Sequence, residues 1–511
     1  MRRIERNAPE SSLDPPHWRK LRAASRRMLD DMLDYLENIH REPVWRPMSE
    51  RVRQAFRRDL PVRPAELRAV YEEFLRHVLP YTAANVHPRF MGWVQGGGTA
   101  IGMLAEMLAG ALNANCGGRD HAPIEVERQI TEWSRRLFGF PAGASGLFLG
   151  GASMANLIAL LVARRAALGP AVRRAGLGAS DKRLVAYASV ATHACVARAM
   201  DVAGLGTEQL RLLPVDADHR IELEALRRAI DSDRGAGCTP FLVVGNAGTV
   251  DIGAIDDLAS LADLAAAEQL WLHVDGAFGA LGVLAPEIAP RLAGLERADS
   301  LAFDFHKWGQ VPYDAGFVLV RDGALHRDTF ATPAEYLRRA TRGIAAGDSW
   351  PTDFGTDLSR GFRALKTWFT LRVYGTRQLG AAISRTCAVA RHLAARVASE
   401  ERLELLAPVP LNIVCFRYRA PRGDADADEL NAAIVADVQE SGVAAPSTTR
   451  IGNRLAIRAA IFNHRTREPD VDALADAVLR FGDRRVGRRA PRRAGPSAPR
   501  RATRTRARVA R

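Results

Sequence analysis

Hydrophobic and polar positions along the chain change their spacing several times, and each change predicts a different kind of structure. Up to about residue 85, apolar residues recur at helical spacing in LRAASRRMLDDMLDYLENI (21–39) and in PAELRAVYEEFLRHVLPY (64–81). Pro64 stands at the start of the second segment, where a helix tolerates proline. Residues 1–85 are therefore predicted to form an N-terminal helical segment that packs on another subunit or on the main body.

From residue 86 to residue 374, short apolar runs alternate with longer helical stretches such as MANLIALLVARRAALG (154–169). The predicted strands are GLFL (146–149), RLVAYAS (183–189), LRLLPV (210–215), PFLVVGNAG (240–248), LWLHVDG (270–276), SLAFDF (300–305) and GFVLV (316–320). This alternation predicts an α/β fold with a mostly parallel central sheet flanked by helices. Sheets of this kind bind ligands at the carboxyl ends of their strands.

A smaller α+β unit is predicted for residues 375–482, with strands at 411–419 and 454–462 and a last helix at 470–481. Residues 483–511 have almost no large apolar side chain and are predicted to form a disordered, arginine-rich tail. Twelve arginines and no acid lie in residues 484–511, so the net charge of +14 minus 12 leaves +2 for the remaining chain. The tail either binds polyanions such as nucleic acid weakly and non-specifically, or is only a solubilising extension.

Composition narrows the class of protein further. With 511 residues, 47% of them hydrophobic, the chain can bury a large core. It contains no uninterrupted apolar run long enough for a membrane span, and its N-terminus has no signal-peptide core. The five cysteines are scattered without a CxxC pair, which argues against a disulfide framework or a cysteine-rich zinc site. We expect a protein of the reducing cytoplasm.

Lysine is rare in this chain, although Lys and Arg together number 72. Only Lys20, Lys182, Lys307 and Lys366 are lysines, and Lys307 alone follows directly on an apolar strand-like run, LAFDF. Arginine can replace lysine as a positive charge, but it cannot form an imine with a carbonyl compound. Taken alone, a single lysine such as Lys307 is better explained as an incidental ammonium at a strand end.

Small and polar residues follow the other predicted strands. Gly150–Ser153 leads from a strand into a helix, which suits a phosphate group but is also an ordinary helix cap. His193 and Thr249 follow two further strands, and Asp275 ends the strand LWLHVD, with Ala277 leaving room for a flat ligand. Pyridoxal phosphate requires such a combination: an imine-forming lysine, an acid near its ring nitrogen, and a phosphate site.

The segments HVDGAF and FDFHKW, preceded by ASMAN and THACVARA, resemble the group II pyridoxal-phosphate decarboxylases, which act on aromatic amino acids, histidine or glutamate-type substrates. The resemblance runs over roughly residues 15–480. It implies a fold-type I enzyme with an N-terminal helical flap, a large cofactor domain and a small C-terminal domain, assembled as a homodimer with sites at the interface. The implied activity is that of a carboxy-lyase, which converts an L-amino acid to its amine and CO2.

The resemblance also implies roles for individual residues. Lys307 holds the cofactor as an internal aldimine, Asp275 pairs with the ring nitrogen, and His193 stacks on the ring; these three are the implied catalytic residues. Ala152 and Ser153 hold the phosphate. The full implied cofactor-binding set is Ala152, Ser153, His193, Thr249, Asp275, Ala277, Asp304, His306 and Lys307.

Three departures from the family pattern concern the chemistry and the substrate. The loop 345–361 lacks the tyrosine of aromatic-amino-acid decarboxylases, the nearest upstream being Tyr336, which leaves aldehyde-forming oxidative deamination or transamination as an alternative. Asp304 stands where the motif often has asparagine, and its charge would repel a phosphate. The segment 111–123 is polar and lies either in the substrate pocket or at the surface; its polar residues are Asn113, Asn115, Arg119, Asp120 and His121. A polyanion-binding protein that acts through its tail is a third hypothesis.

Overall fold

The structure is a computed structural model that describes residues 13–332, 339–420 and 424–489. Three helices precede the main body: α1 (Trp18–Glu37), α2 (Glu50–Ala55) and α3 (Leu67–Glu73), the last continuing into a π-helical turn at Phe74–Val78. The two helical segments predicted from the spacing are therefore present. Within one chain α1 buries none of its residues. A two-residue strand, β1 (Phe90–Met91), follows these helices.

The large domain is built on a seven-stranded sheet. Its strands are β2 (Ser145–Leu149), β3 (Arg183–Ser189), β4 (Leu210–Leu213), β5 (Cys238–Asn246), β6 (Trp271–Asp275), β7 (Ser300–Asp304) and β8 (Gly316–Val320). They lie in the order β2-β8-β7-β6-β5-β3-β4, and only β8 is antiparallel to its neighbours. The mostly parallel sheet is confirmed, as are its seven predicted strands. Every residue of β7 and β8 is buried, which explains their continuous apolar sequence.

Helices pack on both faces of this sheet or extend from its edge. They are α4 (Ala100–Leu112), α5 (Ala122–Leu137), α6 (Ala152–Leu168), α7 (Val172–Ala175), α8 (Cys195–Val202), α9 (Leu223–Gly235), α10 (Leu258–Ala267) and α11 (Gly323–Phe330). The helix α6 follows β2 directly and contacts the strands β5 to β8. It ends at Gly169, whose φ of 74° lies in the left-handed region that favours glycine at a helix end. This arrangement places the first turn of α6 beside the carboxyl ends of the parallel strands.

The long helix α12 (Arg363–Ala398) leads into the C-terminal domain and is interrupted at Gly375, where φ is 67°. The domain's other elements are β9 (Leu403–Leu405), β10 (Ile413–Tyr418), α13 (Asp424–Glu440), β11 (Ala445–Ile451), β12 (Arg454–Ala460) and α14 (Glu468–Arg489). They form a second sheet in the order β1-β11-β12-β10-β9, with β1 parallel to β11. Thus β1, inside the range predicted for the large domain, pairs instead with the C-terminal sheet.

The last helix is longer than predicted. It continues to Arg489, so residues 483–489 belong to α14 and not to the predicted disordered tail. The guanidinium of Arg485 makes two hydrogen bonds of 2.6 Å to the carboxylate of Asp437 on α13, which fixes this extension to the domain. Residues 490–511 of the predicted tail lie outside the described ranges. Across the described ranges, every helix is too short or too polar to span a lipid bilayer.

Candidate active site

A cavity of about 330 Å³ opens at the carboxyl ends of the parallel strands. Residues that follow β2, β3, β5, β6 and β7 line it, together with Trp93, Val94 and Gln95 from the segment after β1. Eight of the nine predicted cofactor-binding residues lie in this lining; they are Ala152, Ser153, His193, Asp275, Ala277, Asp304, His306 and Lys307. The sheet therefore brings together side chains that are up to 155 positions apart in sequence, from Ala152 to Lys307.

Lys307 lies in the turn that follows β7. Its Nζ atom is 2.9 Å from Oδ2 of Asp304, and its side chain is 19% exposed, so the amine faces the cavity. The other carboxylate oxygen of Asp304 accepts a hydrogen bond of 2.7 Å from the N–H of Ala152, at the first turn of α6. The positive end of the helix and the ammonium group together stabilise the buried charge of Asp304. Asp304 thus connects the lysine to the start of α6.

His306 stabilises the same turn from the side away from solvent. Its Nδ1 accepts a hydrogen bond of 3.0 Å from the N–H of Ala315, so the proton of the neutral ring sits on Nε2, which lies 3.5 Å from Oδ2 of Asp304. Burial lowers the pKa of His306 below its ordinary value. The Tyr313 ring packs beside the imidazole, with 4.2 Å between the ring centroids. His306 is therefore a neutral support for Asp304.

Asp275 ends β6, the strand next to β7, and is almost fully buried. Its Oδ1 accepts a hydrogen bond of 3.1 Å from the N–H of Ala277, and its Oδ2 accepts one of 3.0 Å from the side-chain amide of Asn156. These two hydrogen bonds, one to each oxygen, hold the Asp275 carboxylate in one orientation. The site thus presents a fixed negative charge to the cavity, suited to a protonated nitrogen.

His193 and Ser153 supply exposed polar groups to the lining. The Nδ1 of His193 accepts a hydrogen bond of 3.2 Å from the N–H of Cys195, at the start of α8. Its proton then lies on Nε2, which makes no hydrogen bond within the described chain. Ser153 stands in the first turn of α6 with its side chain exposed. These two residues are available to a ligand.

Thr249 is the predicted residue that does not line the cavity. It is 2% exposed, and its hydroxyl oxygen accepts a hydrogen bond of 3.0 Å from the N–H of Ala254. Its neighbours Gly248 and Val250 do line the cavity. Thr249 therefore shapes the loop after β5, and its backbone neighbours form the wall.

The polar segment between α4 and α5 lies away from the cavity of its own chain. Its residues Asn113, Asn115, Arg119, Asp120 and His121 are all absent from the cavity lining. The side-chain oxygen of Asn115 accepts hydrogen bonds from the N–H groups of Gly117 and Arg360, and Arg119 stacks on the Trp350 ring at 5.0 Å. Asn115 and Arg119 thus have partners within one chain, and Asn113, Asn115, Arg119 and Asp120 are exposed.

The loop that lacks a tyrosine also packs on the body of the chain. Trp350 is 2% exposed, and the Phe354 ring meets the His326 ring edge-on at 5.2 Å between centroids. Tyr336, the nearest upstream tyrosine, lies outside the described residues. Neither Trp350 nor Phe354 lines the cavity.

Sequence reasoning missed three polar residues behind Asp275. Asn156 lies on α6, and His273 and Ser300 lie within the strands β6 and β7; all three are at most 3% exposed. Buried polar side chains must find hydrogen-bond partners. The sequence signal that could have revealed this group was a histidine and a serine inside otherwise apolar strands. The hydrophobic spacing that predicts strands treats such residues only as interruptions.

Comparison with known proteins identifies the family to which the chain belongs. The family model described as the pyridoxal-dependent decarboxylase conserved domain matches residues 49–419. The chain belongs to this family. As a member of the pyridoxal-dependent decarboxylase family it is an amino-acid carboxy-lyase, and its cofactor is pyridoxal phosphate. The resemblance found in the sequence is confirmed.

Individual relatives cover nearly the whole chain. It is 33% identical over 458 residues to an aromatic-L-amino-acid decarboxylase of Bacillus atrophaeus, covering 88% of this chain and 92% of that protein. It is 28% identical over 479 residues to a phenylacetaldehyde synthase of Arabidopsis thaliana, covering 91% and 96%. The crystal structure of Oryza sativa TDC with PLP and tryptamine superimposes with a TM-score of 0.85 at 26% identity, covering 93% of this chain and all of that one. The fold-type I architecture is confirmed.

The residues in the cavity fit pyridoxal phosphate. A primary amine and an acceptor-only carboxylate come from adjacent strands. The start of α6 lies so close to β8 that a Cβ atom at Gly316 would overlap the backbone of Gly151. The position of Asp304 fits the phosphate group of the cofactor less well. The carboxylate of Asp304 already accepts the N–H of Ala152, at the helix start predicted to hold the phosphate.

Proposed function

We propose that this decarboxylase converts an L-amino acid to its amine and CO2, with the cofactor held covalently by the ε-amino group of Lys307. The observation that carries the proposal is the convergence of Lys307 and Asp275, from the adjacent parallel strands β7 and β6, on one cavity with His193 and Ser153. When bound, the cofactor accepts the electron pair of the bond that breaks at the substrate's α-carbon. The protein's residues then have five separate tasks.

Asp304 controls the proton on the lysine. Oδ2 of Asp304 is 2.9 Å from Nζ of Lys307, so it pairs with the amine and lies within reach of the proton that Nζ must lose before it can react. Asp275 keeps its negative charge in the cavity through the hydrogen bonds from Ala277 and Asn156. A fixed charge of this kind stabilises charge that develops during the reaction without reorganising.

His193 is placed to deliver a proton. Its Nδ1 is occupied by the N–H of Cys195, so the neutral ring carries its proton on Nε2, the atom available to the substrate. Ser153 offers a hydroxyl at the positive end of α6, where an anionic group is stabilised. Trp93, Val94 and Phe278 supply the apolar part of the lining and exclude water from the reacting atoms.

The homodimer and the cytoplasmic location are part of this proposal. Support for a second copy comes from α1, which buries none of its residues within one chain, and from an apolar cavity of about 550 Å³ beside α5 and α12 that includes Trp133, Leu281 and Leu371. A second subunit would cover such surfaces, and light scattering of the purified protein measures its mass. The five cysteines are free and buried, which supports a reducing compartment.

The activity is tested by incubating the protein, loaded with cofactor, with a panel of aromatic, acidic, imidazole and diamino L-amino acids. We expect amine and CO2 in equal amounts from at least one of them. Lys307→Ala should abolish the products together with the near-visible absorption band that borohydride reduction removes. Lys182→Ala is the matched control, because Lys182 is exposed and binds the carbonyl of Ala167 outside the cavity. Loaded protein without such a band would refute the role of Lys307.

Aldehyde formation is the second candidate. The specific observation is the loop 345–361, which contains Trp350 and Phe354 but no tyrosine. The similarity to a phenylacetaldehyde synthase supports the same chemistry. Oxygen consumption, with release of ammonia and peroxide, distinguishes this reaction from simple decarboxylation, which consumes no oxygen.

A further inference from the structure

A chain of buried hydrogen bonds runs from Trp271 through the sheet to Asp275. Nε1 of Trp271 donates to Oγ of Ser300 at 2.8 Å, and Oγ of Ser300 lies 2.8 Å from Nδ1 of His273. Nε2 of His273 lies 2.6 Å from Oδ1 of Asn156, whose Nδ2 donates to Oδ2 of Asp275 at 3.0 Å. The three middle residues are at most 3% exposed, so water does not replace these bonds.

The direction of the hydrogen bonds around His273 is set from the carboxylate end. At the other end the indole of Trp271 can only donate, so Ser300 accepts from it and keeps its own proton free for Nδ1 of His273. At the Asp275 end an ionised carboxylate can only accept, so Asn156 turns its Nδ2 to Asp275 and its Oδ1 to His273. The carboxylate end therefore places the proton of His273 on Nε2, and Nδ1 is then the acceptor for the Ser300 hydroxyl. Burial lowers the pKa of His273 to about 4, which keeps the ring neutral, as this arrangement requires.

Asn156 links three parts of the cavity. It lies on α6, whose first turn carries Ser153, and it donates to Asp275 at the end of β6. The same Nδ2 also lies 3.1 Å from Sγ of Cys195, and the N–H of Cys195 holds the ring of His193. A change in the orientation of the Asn156 amide therefore alters the surroundings of the acid and of the histidine together.

We propose that His273 and Asn156 are positioning residues, which hold the Asp275 carboxylate as a fixed acceptor aimed at the ring nitrogen of bound pyridoxal phosphate. The inference rests on the proposed role of Asp275. Without the hydrogen bonds that run through His273 and Asn156, Asp275 keeps only the hydrogen bond from the N–H of Ala277. Its carboxylate then rotates or takes up a proton more easily. The cofactor then loses a fixed opposite charge, and its affinity falls.

The first test uses the wild-type protein without cofactor. Nitrogen-15 NMR of protein labelled in histidine reports which ring nitrogen carries the proton, and the signal that disappears in His273→Gln identifies His273. We expect a neutral ring protonated on Nε2. A ring protonated on Nδ1, or a charged ring at neutral pH, would overturn the inference whatever the enzyme's activity.

The second test measures the equilibrium dissociation constant of pyridoxal phosphate from its absorbance. His273→Leu and Asn156→Leu should each raise this constant about tenfold, the lower end of what supporting residues contribute at comparable sites. His273→Gln should restore it to within about threefold, because the amide of glutamine can accept from Ser300 and donate to Asn156. Asn431→Leu is the control: Asn431 is buried in the C-terminal domain, where it binds Tyr418 outside the cavity.

Two comparisons separate the failure of this inference from failure of the proposed function. If Asp275→Asn weakens cofactor binding but His273→Leu and Asn156→Leu leave it unchanged, the positioning role is wrong and Asp275 keeps its own. If Asp275→Asn has no effect, the proposed function itself is wrong at this residue. If the leucine variants fail to fold, the His273→Gln variant and the position of the proton on His273 still test the inference. A glutamine variant that binds the cofactor at least tenfold more weakly than the wild type would contradict the proposed hydrogen-bond pattern.

Discussion

The buried ion pair between Arg360 and Glu127 offers a quantitative test of how the loop before α12 is held on the large domain. Arg360 is 3% exposed, and its two terminal nitrogens make four hydrogen bonds. Nη1 donates to the carbonyl of Cys116 at 2.8 Å and to Oε2 of Glu127 at 3.1 Å. Nη2 donates to Oε1 of Glu127 at 2.6 Å and to the carbonyl of Phe148, in β2, at 2.8 Å.

The perturbation is Arg360→Met, which keeps the length of the side chain and removes its charge. The change strands the carboxylate of Glu127 in the interior, and breaking a buried pair in this way costs about 3–5 kcal/mol. The double variant Arg360→Met with Glu127→Leu removes the stranded charge. It still leaves the carbonyls of Cys116 and Phe148 unpaired, at about 1–3 kcal/mol each. We therefore expect the double variant to recover part of the loss, but not all of it.

The assay is urea unfolding of the protein without cofactor, followed by tryptophan fluorescence for the wild type, both single variants and the double variant. The four free energies form a double-mutant cycle, and we expect a coupling energy of at least about 2 kcal/mol between the two residues. Losses that simply add would refute the reasoning, because they would mean that neither residue depends on the other. A change in the slope of the denaturant dependence would instead mark a change in the unfolded state.

Three further predictions concern the site and its supports. Asp304→Asn removes the charge at the start of α6, so pyridoxal phosphate and inorganic phosphate should bind about fivefold more tightly in calorimetric titrations, equivalent to about 1 kcal/mol; unchanged phosphate affinity would contradict this. Gly316→Ala forces a Cβ atom into the backbone at the start of α6 and should destabilise the protein by about 1–3 kcal/mol in the same urea assay. The control is Gly110→Ala, which has open space around it on α4 and should be neutral or stabilise the protein by up to about 1 kcal/mol. Burial lowers the pKa of His273 and of His326 to about 4. Between this pKa and the ordinary pKa of about 6.5, these histidines are protonated in the unfolded chain but not in the native state. Stability is then complete above about pH 6.5 and falls by about 1.4 kcal/mol per histidine for each pH unit below it, until the native pKa is reached. His326→Phe should flatten this decline, and an equal slope in the variant would count against the assignment.

The spacing of apolar residues predicted most of the fold because the buried strands are continuous apolar runs. LWLHVD and SLAFDF read directly as β6 and β7, and the polar residues at their ends, Asp275 and Lys307, could be placed at one edge of the sheet. The exact pairing partners could not be predicted in this way. His273 meets Asn156, 117 residues earlier in the chain, and only the folded sheet shows that two apparent interruptions are one hydrogen-bonded unit.

Other differences have equally local causes. The tail boundary was set too early because Arg485 looks like its arginine-rich neighbours, while in the structure it binds Asp437 and extends α14. The two residues of β1 carry no strand pattern of their own. They are a strand only because β11, near the other end of the chain, lies beside them. The polar residues around Asn115 are open to two interpretations, and within one chain they lie outside the cavity lining, with Asn115 itself bound to the N–H groups of Gly117 and Arg360.

The segment that begins with β1 has a consequence for the way the enzyme can be divided. Phe90 pairs with Ala445 of the C-terminal sheet, and Arg458 and Arg465 of the same domain bind the carbonyls of residues 92 and 97. Between these anchors, residues 93–95 form a wall of the cavity, and the N–H of residue 96 binds the carbonyl of His306, the residue before Lys307. The C-terminal domain thus supports one wall of the cavity that is proposed to hold the cofactor. A fragment that ends at residue 374 would carry every predicted cofactor-binding residue and still have an open, unsupported pocket.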